Sequence, residues 1–431
     1  MTRTEIIDAA LKAWGRNFYL DTSLSHVARE LKVCKPALYR HFRNKNALLQ
    51  AMNGYFLDDF AAFVRPAYEK ALNGPDSTEN IFMIIRAIAE YYARNVNIFI
   101  FSMVKLNDDR RDSLTYMEDL RIRGIDLARF HHSIKNEYVF QPLIMRLINA
   151  TMVFFMADFH KKGESLTNPP SEAAIAQIIE LISEIIGKGL CYNNEEITAL
   201  DYEKLENRIA GTINNIEDDP LLKAVAAAVA ETGPWETSME QVAHRSGLSK
   251  SSLYGHFKNK QDMLHQLFVT EFMRIMDFAR QGMRQPVLPQ EQLYLGIFSI
   301  VEYLRSKPDI LTAMDWIRNR RINLGPIRKR KERPMHEFMR LFEEIDIKPL
   351  QNNESLSREE LWLSPWILLL IITTLMQTNS GQTAGKVPNS DIRYLYRFIT
   401  LGIGGNKQLR SGQNEVCGGM SGKERKERNK A

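Results

Sequence analysis

Apolar residues recur at helical spacing at the start of the chain and again in its second half. Successive apolar positions are three to four residues apart, and this spacing predicts an amphipathic helix at the beginning of each segment. The positions are Ile6, Ile7, Ala10, Leu11 and Trp14 in the first segment and Leu221, Leu222, Val225, Ala226 and Val229 in the second.

A second, shorter helix is predicted after each of these. Thr22 or Ser23 is a candidate N-cap for a segment through Val27, and Ser238 precedes Val242 in the same way. A third short helix then follows a tight turn. Three short helices with a tight turn between the second and the third form a helix-turn-helix unit.

The third helix has its own start signals in both places. Cys34 and Ser249 are the candidate N-caps, and the helices are predicted to end near His41 and His256. Pro36 is compatible with a first turn, because the amide donors there have no partner within the helix.

The two helix-turn-helix units repeat at a constant separation. Matched positions lie 215 residues apart, and the match continues without a gap over about forty residues. It includes Tyr39 with Tyr254, His41 with His256, Phe42 with Phe257, Asn44 with Asn259 and Lys45 with Lys260. Such agreement predicts a duplicated domain.

The third helix of each unit has a face suited to a DNA duplex. Leu38 and Phe42 are four residues apart and are predicted to face the small core, as are Leu253 and Phe257. The candidates to touch base edges are Lys35, Pro36, Ala37 and Arg40 in the first copy and Lys250, Ser251, Ser252 and Gly255 in the second. The candidates to contact phosphates are Tyr39, His41 and Lys45 and their counterparts Tyr254, His256 and Lys260, and Thr22 and Thr237 are further DNA-binding candidates.

The segments TSLSHVARELKVCKPALYRHFRNKNALL, residues 22–49, and TSMEQVAHRSGLSKSSLYGHFKNKQDML, residues 237–264, resemble the DNA-binding region of the TetR-like transcriptional regulators. That region typically runs as TS, then VA, a turn, and SKxxLYxHFxxKxxL. The resemblance implies an all-α fold with two units in tandem, each an N-terminal three-helix DNA-binding domain followed by a helical regulatory domain. TetR-like proteins usually act as homodimers on palindromic operators, so two copies in one chain imply an intrachain pseudo-dimer.

The resemblance and the repeat together imply a domain order. The predicted segments are a first helix-turn-helix domain at 1–46, a first regulatory domain at 47–192, a linker at 193–216, a second helix-turn-helix domain at 217–261, a second regulatory domain at 262–405 and a tail at 406–431. The linker is expected to include a helix at Tyr202 to Ile209. The tail is Gly-rich, polar and basic, a composition that predicts disorder.

Two apolar helices in each regulatory region are expected to pair the halves as a four-helix interface. In each half one of them follows a proline, Pro142 or Pro365, and the other is near the end of the half. Gly187 and Gly402, again 215 residues apart, mark the ends of the two later helices.

The two copies differ in ways that affect DNA binding. Lys32 stands in the turn where the second copy has Gly247, and we expect a distorted first turn because a positive φ strains a lysine. Residues 1–50 contain nine Lys/Arg against four Asp/Glu, whereas residues 217–268 contain five against seven, so the first copy is expected to supply more non-specific affinity. Arg40 matches Gly255, which favours an asymmetric operator.

Composition limits the other possibilities. Cys34, Cys191 and Cys417 are odd in number and lack metal-ligand spacing, so a reducing compartment is expected and a zinc site is not. The N-terminus lacks the apolar core of a signal peptide, and the most apolar run, Trp362 to Met376, is shorter than a membrane span. A cytoplasmic location without a membrane partner is therefore expected.

The function predicted is that of a sequence-specific transcriptional regulator with double-stranded DNA as its partner and repression relieved by a small molecule. Phe99, Met103, Phe154 and Phe155 are candidate lining residues of an apolar effector pocket. No cofactor and no catalytic residue are expected, because the chain has no convincing phosphate loop, metal cluster or nucleophile motif. Two alternatives stay open: a regulator or activator without an effector, and a helical sensor or enzyme with vestigial DNA-binding units. Further self-association is also left open.

Overall fold

The structure is a computed structural model of the 431-residue chain. It describes residues 2–17, 24–74, 78–108, 113–126, 142–162, 170–190, 192–210, 219–234, 236–284, 288–320, 337–338, 340–345, 363–376 and 385–403. Helices and the turns between them make up these ranges, and no strand occurs within them. The all-α fold class predicted from the sequence is confirmed. The predicted tail, residues 406–431, lies outside the described residues.

Nine helices are described in the first half of the chain. They are α1 (Arg3–Asn17), α2 (Leu24–Glu30), α3 (Lys35–Tyr39), α4 (Lys45–Asn73), α5 (Thr78–Arg94), α6 (Val96–Asp108), α7 (Ser113–Ile122), α8 (Pro142–Lys162) and α9 (Glu172–Lys188). Two short helices follow in the predicted linker, α10 (Asn194–Thr198) and α11 (Tyr202–Ile209).

The second half repeats this order. Its helices are α12 (Pro220–Thr232), α13 (Met239–Ser246), α14 (Lys250–His256), α15 (Lys260–Met283), α16 (Pro289–Ser306), α17 (Pro308–Arg320), α18 (Leu363–Leu375) and α19 (Asn389–Leu401), with a short 3₁₀ helix at Leu341–Glu344. The starts of α13, α14 and α15 each lie 215 residues after those of α2, α3 and α4. The repeat seen in the sequence is therefore also a repeat of helices.

A long helix connects each DNA-binding unit to the helical region behind it. α4 packs along α5, and α15 packs along α16. A buried tyrosine on the second helix of each pair donates to a carboxylate on the long helix: Tyr91 Oη lies 2.9 Å from Asp59 Oδ2, and Tyr303 Oη lies 2.6 Å from Glu271 Oε2. These pairs satisfy hydroxyls that burial would otherwise leave unbonded.

Helices of the two halves pack against each other within the chain. α8 contacts α18 and α19, and α9 contacts α19, so the four helices expected to form an interface do so. Trp366 Nε1 donates to Thr151 Oγ1 at 3.2 Å, and both residues are fully buried. This bond joins α8 of the first half to α18 of the second, so the contact between the halves includes a buried polar pair as well as apolar side chains.

The ends of α9 and α19 approach each other backbone to backbone. Leu190 N donates to Ile399 O at 2.8 Å, and Ile403 N donates to Ile186 O at 2.8 Å. Gly189 and Gly402 both have positive φ, 60° and 62°, and end their helices in the same way. The structural counterpart of Gly402 is thus Gly189, whereas the sequence match paired it with Gly187. A Cβ on Gly402 would lie 2.4 Å from the carbonyl carbon of Gly187.

The linker helix α11 is part of the second half's core. Leu205 and Ile209 are 1% and 4% exposed, and α11 packs on α16. Glu206 accepts hydrogen bonds from Tyr294, Arg393 and Asn389. Tyr294 is on α16, and Asn389 and Arg393 are in the first two turns of α19. The helix predicted at Tyr202 to Ile209 is confirmed. It is more than a connection between the halves, because its buried carboxylate binds it to α16 and α19.

Among the described residues, α8 includes one stretch, Leu143–Lys161, whose length and composition would suffice to cross a membrane. Half of the tested window is buried inside the protein. α8 contacts α5, α9, α18 and α19, as a core helix does.

Candidate nucleic-acid interface

The turn between the second and third helices has the same geometry in both units. Lys32 has φ 55° and Gly247 has φ 69°, so both residues are in the left-handed region. Val33 N donates to Ala28 O at 2.9 Å, and Leu248 N donates to Ala243 O at 3.0 Å. The prediction that the first turn is distorted is therefore wrong. Lys32 adopts the same conformation as Gly247, although a positive φ strains a lysine and does not strain a glycine.

The third helices pack through the predicted core positions. Leu38 and Phe42 are 1% and 2% exposed, and Leu253 and Phe257 are 0% and 2% exposed. The guanidinium of Arg3 lies 4.9 Å from the centre of the Phe42 ring, so the N-terminus of α1 also covers this small core. The buried face of each third helix therefore attaches it to the core of its own unit.

The opposite face of each third helix is accessible. Tyr39 and Tyr254 are each 47% exposed, although large aromatic side chains are usually buried. The other predicted DNA-contacting residues on this face are Lys35, Pro36, Arg40 and His41, which are exposed, and Ala37 and Lys45, which are partly exposed. In the second unit Lys250, Ser251, Ser252, Gly255 and His256 are exposed and Lys260 is partly exposed. All of these side chains are therefore accessible to a partner.

The two predicted threonine contacts differ from the other candidates. Thr22 lies outside the described residues. Thr237 is 1% exposed, and its hydroxyl donates to Gly233 O at 2.6 Å. The prediction that Thr237 contacts DNA is wrong, because the side chain of Thr237 is buried and the neighbouring Ser238 caps α13.

The third helices differ at their ends. Ser249 caps α14 by accepting from Ser252 N at 3.0 Å, whereas Cys34, exposed at the start of α3, makes no side-chain cap. α14 ends at His256 as predicted, but α3 ends at Tyr39, two residues before the predicted end at His41. Beyond both helices an asparagine, Asn44 or Asn259, caps the long helix that follows. The second unit therefore has more local stabilising bonds around its third helix.

The profile of the family described as bacterial regulatory proteins, tetR family, matches the chain twice, at residues 6–52 and 221–267. Both matches include all three helices of a helix-turn-helix unit. The chain carries two TetR-type DNA-binding domains. We refer to α1–α3 and α12–α14 as the first and second TetR-type domains.

Curated relatives are similar to parts of the chain only. The HTH-type transcriptional repressor KstR2 of Mycobacterium tuberculosis is 30% identical over 101 residues, which is 22% of this chain and 50% of that protein. Two Bacillus subtilis proteins, both called uncharacterized HTH-type transcriptional regulators, are YhgD, 28% identical over 87 residues (20% of this chain, 45% of that protein), and YuxN, 42% identical over 53 residues (12% and 18%). The matched region spans half or less of each of these relatives.

The charges on the two TetR-type domains are arranged differently. Lys32, Lys35 and Arg40 of the first domain make no ion pair with any described residue. In the second domain Lys250 is paired with Glu240. This contact raises the pKa of Lys250 and lowers the pKa of Glu240 through the hydrogen bond between them. The exposed face of α14 therefore has its first residue, Lys250, paired with a carboxylate.

A second ion pair in the same domain joins Arg245 at the end of α13 to Glu231 on α12. Neither Glu231 nor Glu240 was among the residues predicted to affect DNA binding. Glu240 stands ten positions before Lys250, a separation with no helical period, so only the fold brings the two side chains together.

Three of the four residues of the predicted effector pocket, Phe99, Phe154 and Phe155, belong to two aromatic clusters. Phe99 lies against Tyr92 and His160, with ring centres 5.5 Å and 5.3 Å away. Phe155 lies against Phe154 and against Trp366 of the other half, at 5.2 Å and 6.0 Å. Met103 is 7% exposed, and Phe154 is partly buried.

A cavity of about 420 Å³ is present elsewhere, in the second half. It is lined by Arg280, Met283, Arg284, Gln292 and Ile345, and it contains none of the residues predicted to line an effector pocket.

Within the described ranges, no three His, Cys, Asp or Glu side chains are grouped as metal ligands would be.

Proposed function

We propose that the protein is a sequence-specific transcriptional regulator in the cytoplasm that binds an operator as a single-chain pseudo-dimer. The observation that carries this proposal is the pair of exposed recognition faces, which have matching tyrosines, Tyr39 and Tyr254, at equal exposure. Matching geometry on both units is what two successive half-sites of a duplex require.

Contacts within the chain support the pseudo-dimer. The four-helix packing of α8, α9, α18 and α19 joins the halves through buried residues, and Trp366 donates to Thr151 there. Such packing holds two recognition helices at a defined separation without a second chain. We propose the same domain order as the sequence predicts, with boundaries after residues 46, 192, 216, 261 and 405.

We propose further that the two half-sites differ in sequence. Arg40 is exposed on the first recognition face, and an arginine there can donate two hydrogen bonds to a guanine. Gly255 takes the matching position in the second domain and has no side chain with which to read a base. A Cβ on Gly255 would have no atom within 4 Å, so the position can be filled without disturbing the fold.

The test is selection of binding sites from random duplex DNA with the intact chain, followed by measurement of the mass of the complex. We expect one chain on two unlike half-sites, a turn of DNA apart. The variant Gly255→Arg should make the second half-site more similar to the first, and Arg40→Gly should relax the first, with a loss of discrimination of about 1–3 kcal/mol at one base pair.

Other results of the selection would contradict parts of the proposal. A perfect palindrome occupied by two chains would refute the asymmetric operator and the pseudo-dimer. Failure to enrich any site would refute sequence-specific binding. Lys45→Ala, which removes a predicted phosphate contact but no predicted base contact, serves as a control because it should weaken binding to all sequences to a similar extent.

A small molecule that relieves repression is the last element of the proposal. α1 packs on α6, α12 packs on α17, and α6 and α17 contact each other across the two halves. A ligand that displaces α6 would thus act on both DNA-binding domains at once. One parallel supports this element: the relative KstR2 is a transcriptional repressor by name. We expect operator binding to be lost when the ligand is added. A variant with a larger side chain in the pocket predicted at Phe99, Met103, Phe154 and Phe155 should keep its operator binding in the presence of the ligand.

A further inference from the structure

An ion pair controls the leading lysine of the second recognition helix. Lys250 is the first residue of α14, and its ammonium is bound by the carboxylate of Glu240, in the first turn of α13. Both side chains are more than half exposed, at 53% and 61%, so the pair lies on the surface of the domain. The carboxylate also suits its position, since the first turn of a helix favours negative charge.

The first domain shows the same site without the carboxylate. Ser25 lies 215 residues before Glu240, and Lys35 lies 215 residues before Lys250. Ser25 is exposed in the first turn of α2, and Lys35 makes no ion pair with any described residue. The repeat thus supplies two versions of one surface that differ by a carboxylate.

The carboxylate opposes the binding of Lys250 to DNA in two ways. Lys250 has to exchange Glu240 for a phosphate oxygen or a base edge, and because an exposed ion pair of this kind is weak, the exchange lowers the affinity by only a few-fold. Glu240 then remains beside the phosphate as an uncompensated negative charge. Both effects are absent at Lys35, so the same lysine should release one more counterion in the first domain than in the second.

We propose that Glu240 is an affinity-setting residue that weakens the contact of the second TetR-type domain with the DNA backbone. The inference rests on the proposed function, because it requires both domains to contact a duplex. Its consequence is a division of labour. The first domain supplies most of the salt-dependent affinity, and the second is held on the operator mainly through the connection to the first.

Reciprocal substitutions test this inference. Glu240→Ser gives the second domain the surface of the first, and Ser25→Glu gives the first domain the surface of the second. The probe is a random-sequence duplex of about 30 base pairs, long enough for two half-sites a helical turn apart. Affinity is measured from low salt to about 0.2 M salt, the range over which counterion release is conspicuous.

We expect Glu240→Ser to bind about two- to five-fold more tightly near 0.1 M salt, and Ser25→Glu to bind more weakly by a similar factor. The slope of log affinity against log salt should become steeper by up to about 0.9 in the first variant and shallower by up to about 0.9 in the second. Both substitutions are at exposed positions in first turns, and circular dichroism checks that the helices are retained.

Two controls separate the pair from a general change of charge. Glu195→Ser makes the same change of charge on α10, which packs on α19, and should leave the affinity unchanged. In a Lys250→Ala background, Glu240→Ser should have a much smaller effect than in the natural chain. An equal effect in both backgrounds, or no effect of either reciprocal variant on a chain that binds the duplex, would overturn the inference. A chain that binds no duplex at any salt concentration would refute the proposed function itself.

Discussion

The carboxylate of Glu206 fastens the linker helix α11 to the second half of the chain. It accepts from Tyr294 Oη at 2.6 Å, from Arg393 Nε and Nη2 at 2.8 Å and 2.9 Å, and from Asn389 Nδ2 at 2.9 Å. Burial alone raises the pKa of Glu206, but the hydrogen bonds from Arg393, Tyr294 and Asn389 outweigh burial, and its pKa lies below the ordinary value. The ionised carboxylate is therefore the form that holds α11.

Glu206→Ala removes this anchor, and its effect can be estimated from the groups it leaves behind. Removing one member of a buried ion pair costs about 3–5 kcal/mol. The Arg393 side chain is 31% exposed and keeps some water, which favours the lower end of that range. Tyr294 is 0% exposed and loses its acceptor, which adds to the penalty. We expect α11 to be destabilised by about 3 kcal/mol in total.

Hydrogen exchange of the α11 amides measures this change locally, without assuming that the whole chain unfolds in one step. A loss of about 3 kcal/mol corresponds to exchange roughly 100-fold faster, since about 1.4 kcal/mol is a factor of ten. Glu203→Ala, at an exposed position of the same helix, is the matched control and should change exchange little. If Glu206→Ala accelerated exchange no more than Glu203→Ala, the buried carboxylate would not be the anchor.

Three further outcomes follow from the structure. Lys32→Gly should stabilise the first TetR-type domain by about 1 kcal/mol, because a left-handed φ strains lysine but not glycine; slower amide exchange in α2 and α3 would show this, and unchanged exchange would contradict it. Gly402→Ala should destabilise the packing of the halves by about 2–5 kcal/mol, because its Cβ would overlap the Gly187 backbone and its φ is positive; a denaturation midpoint equal to that of the natural chain would refute this. The contribution of Glu206 to the free energy of unfolding should be complete above the pKa of an unfolded glutamate, near 4.3, and should be lost as the pH falls through the lower pKa of the folded state. Acid-unfolding curves of the natural chain and of Glu206→Ala measure this, and a constant difference in stability between them at all pH values would argue against it.

Local patterns were sufficient to predict the DNA-binding units and their core. The spacing of Leu38 and Phe42 indicated which face of α3 is buried, and the repeat gave the same result for Leu253 and Phe257. The turn at Lys32 was misjudged, because the packing of the flanking helices and the bond from Val33 to Ala28 hold a lysine in a conformation that its own preferences disfavour. Ser238 was predicted correctly as the cap, but Thr237 was misjudged because its bond to Gly233 O depends on the fold of the preceding turn.

Long-range contacts could not be predicted from the sequence. The linker helix α11 was expected from its own periodicity, but the partners of Glu206 lie 88 to 187 residues further along the chain. The pairing of Glu240 with Lys250 likewise depends on how α13 and α14 cross. The end of α9 illustrates a smaller difference. Two glycines, Gly187 and Gly189, stand close together, and only the backbone conformation shows which of them corresponds to Gly402.

The bond between Trp366 and Thr151 has a consequence for cutting the chain in two. It joins an indole donor on α18 of the second half to a hydroxyl acceptor on α8 of the first, and both residues are fully buried. If the two halves were made as separate chains and kept apart, each would expose the apolar face of these helices and lose the partner of this polar group. The separated halves should therefore be recovered together, or aggregate when expressed alone.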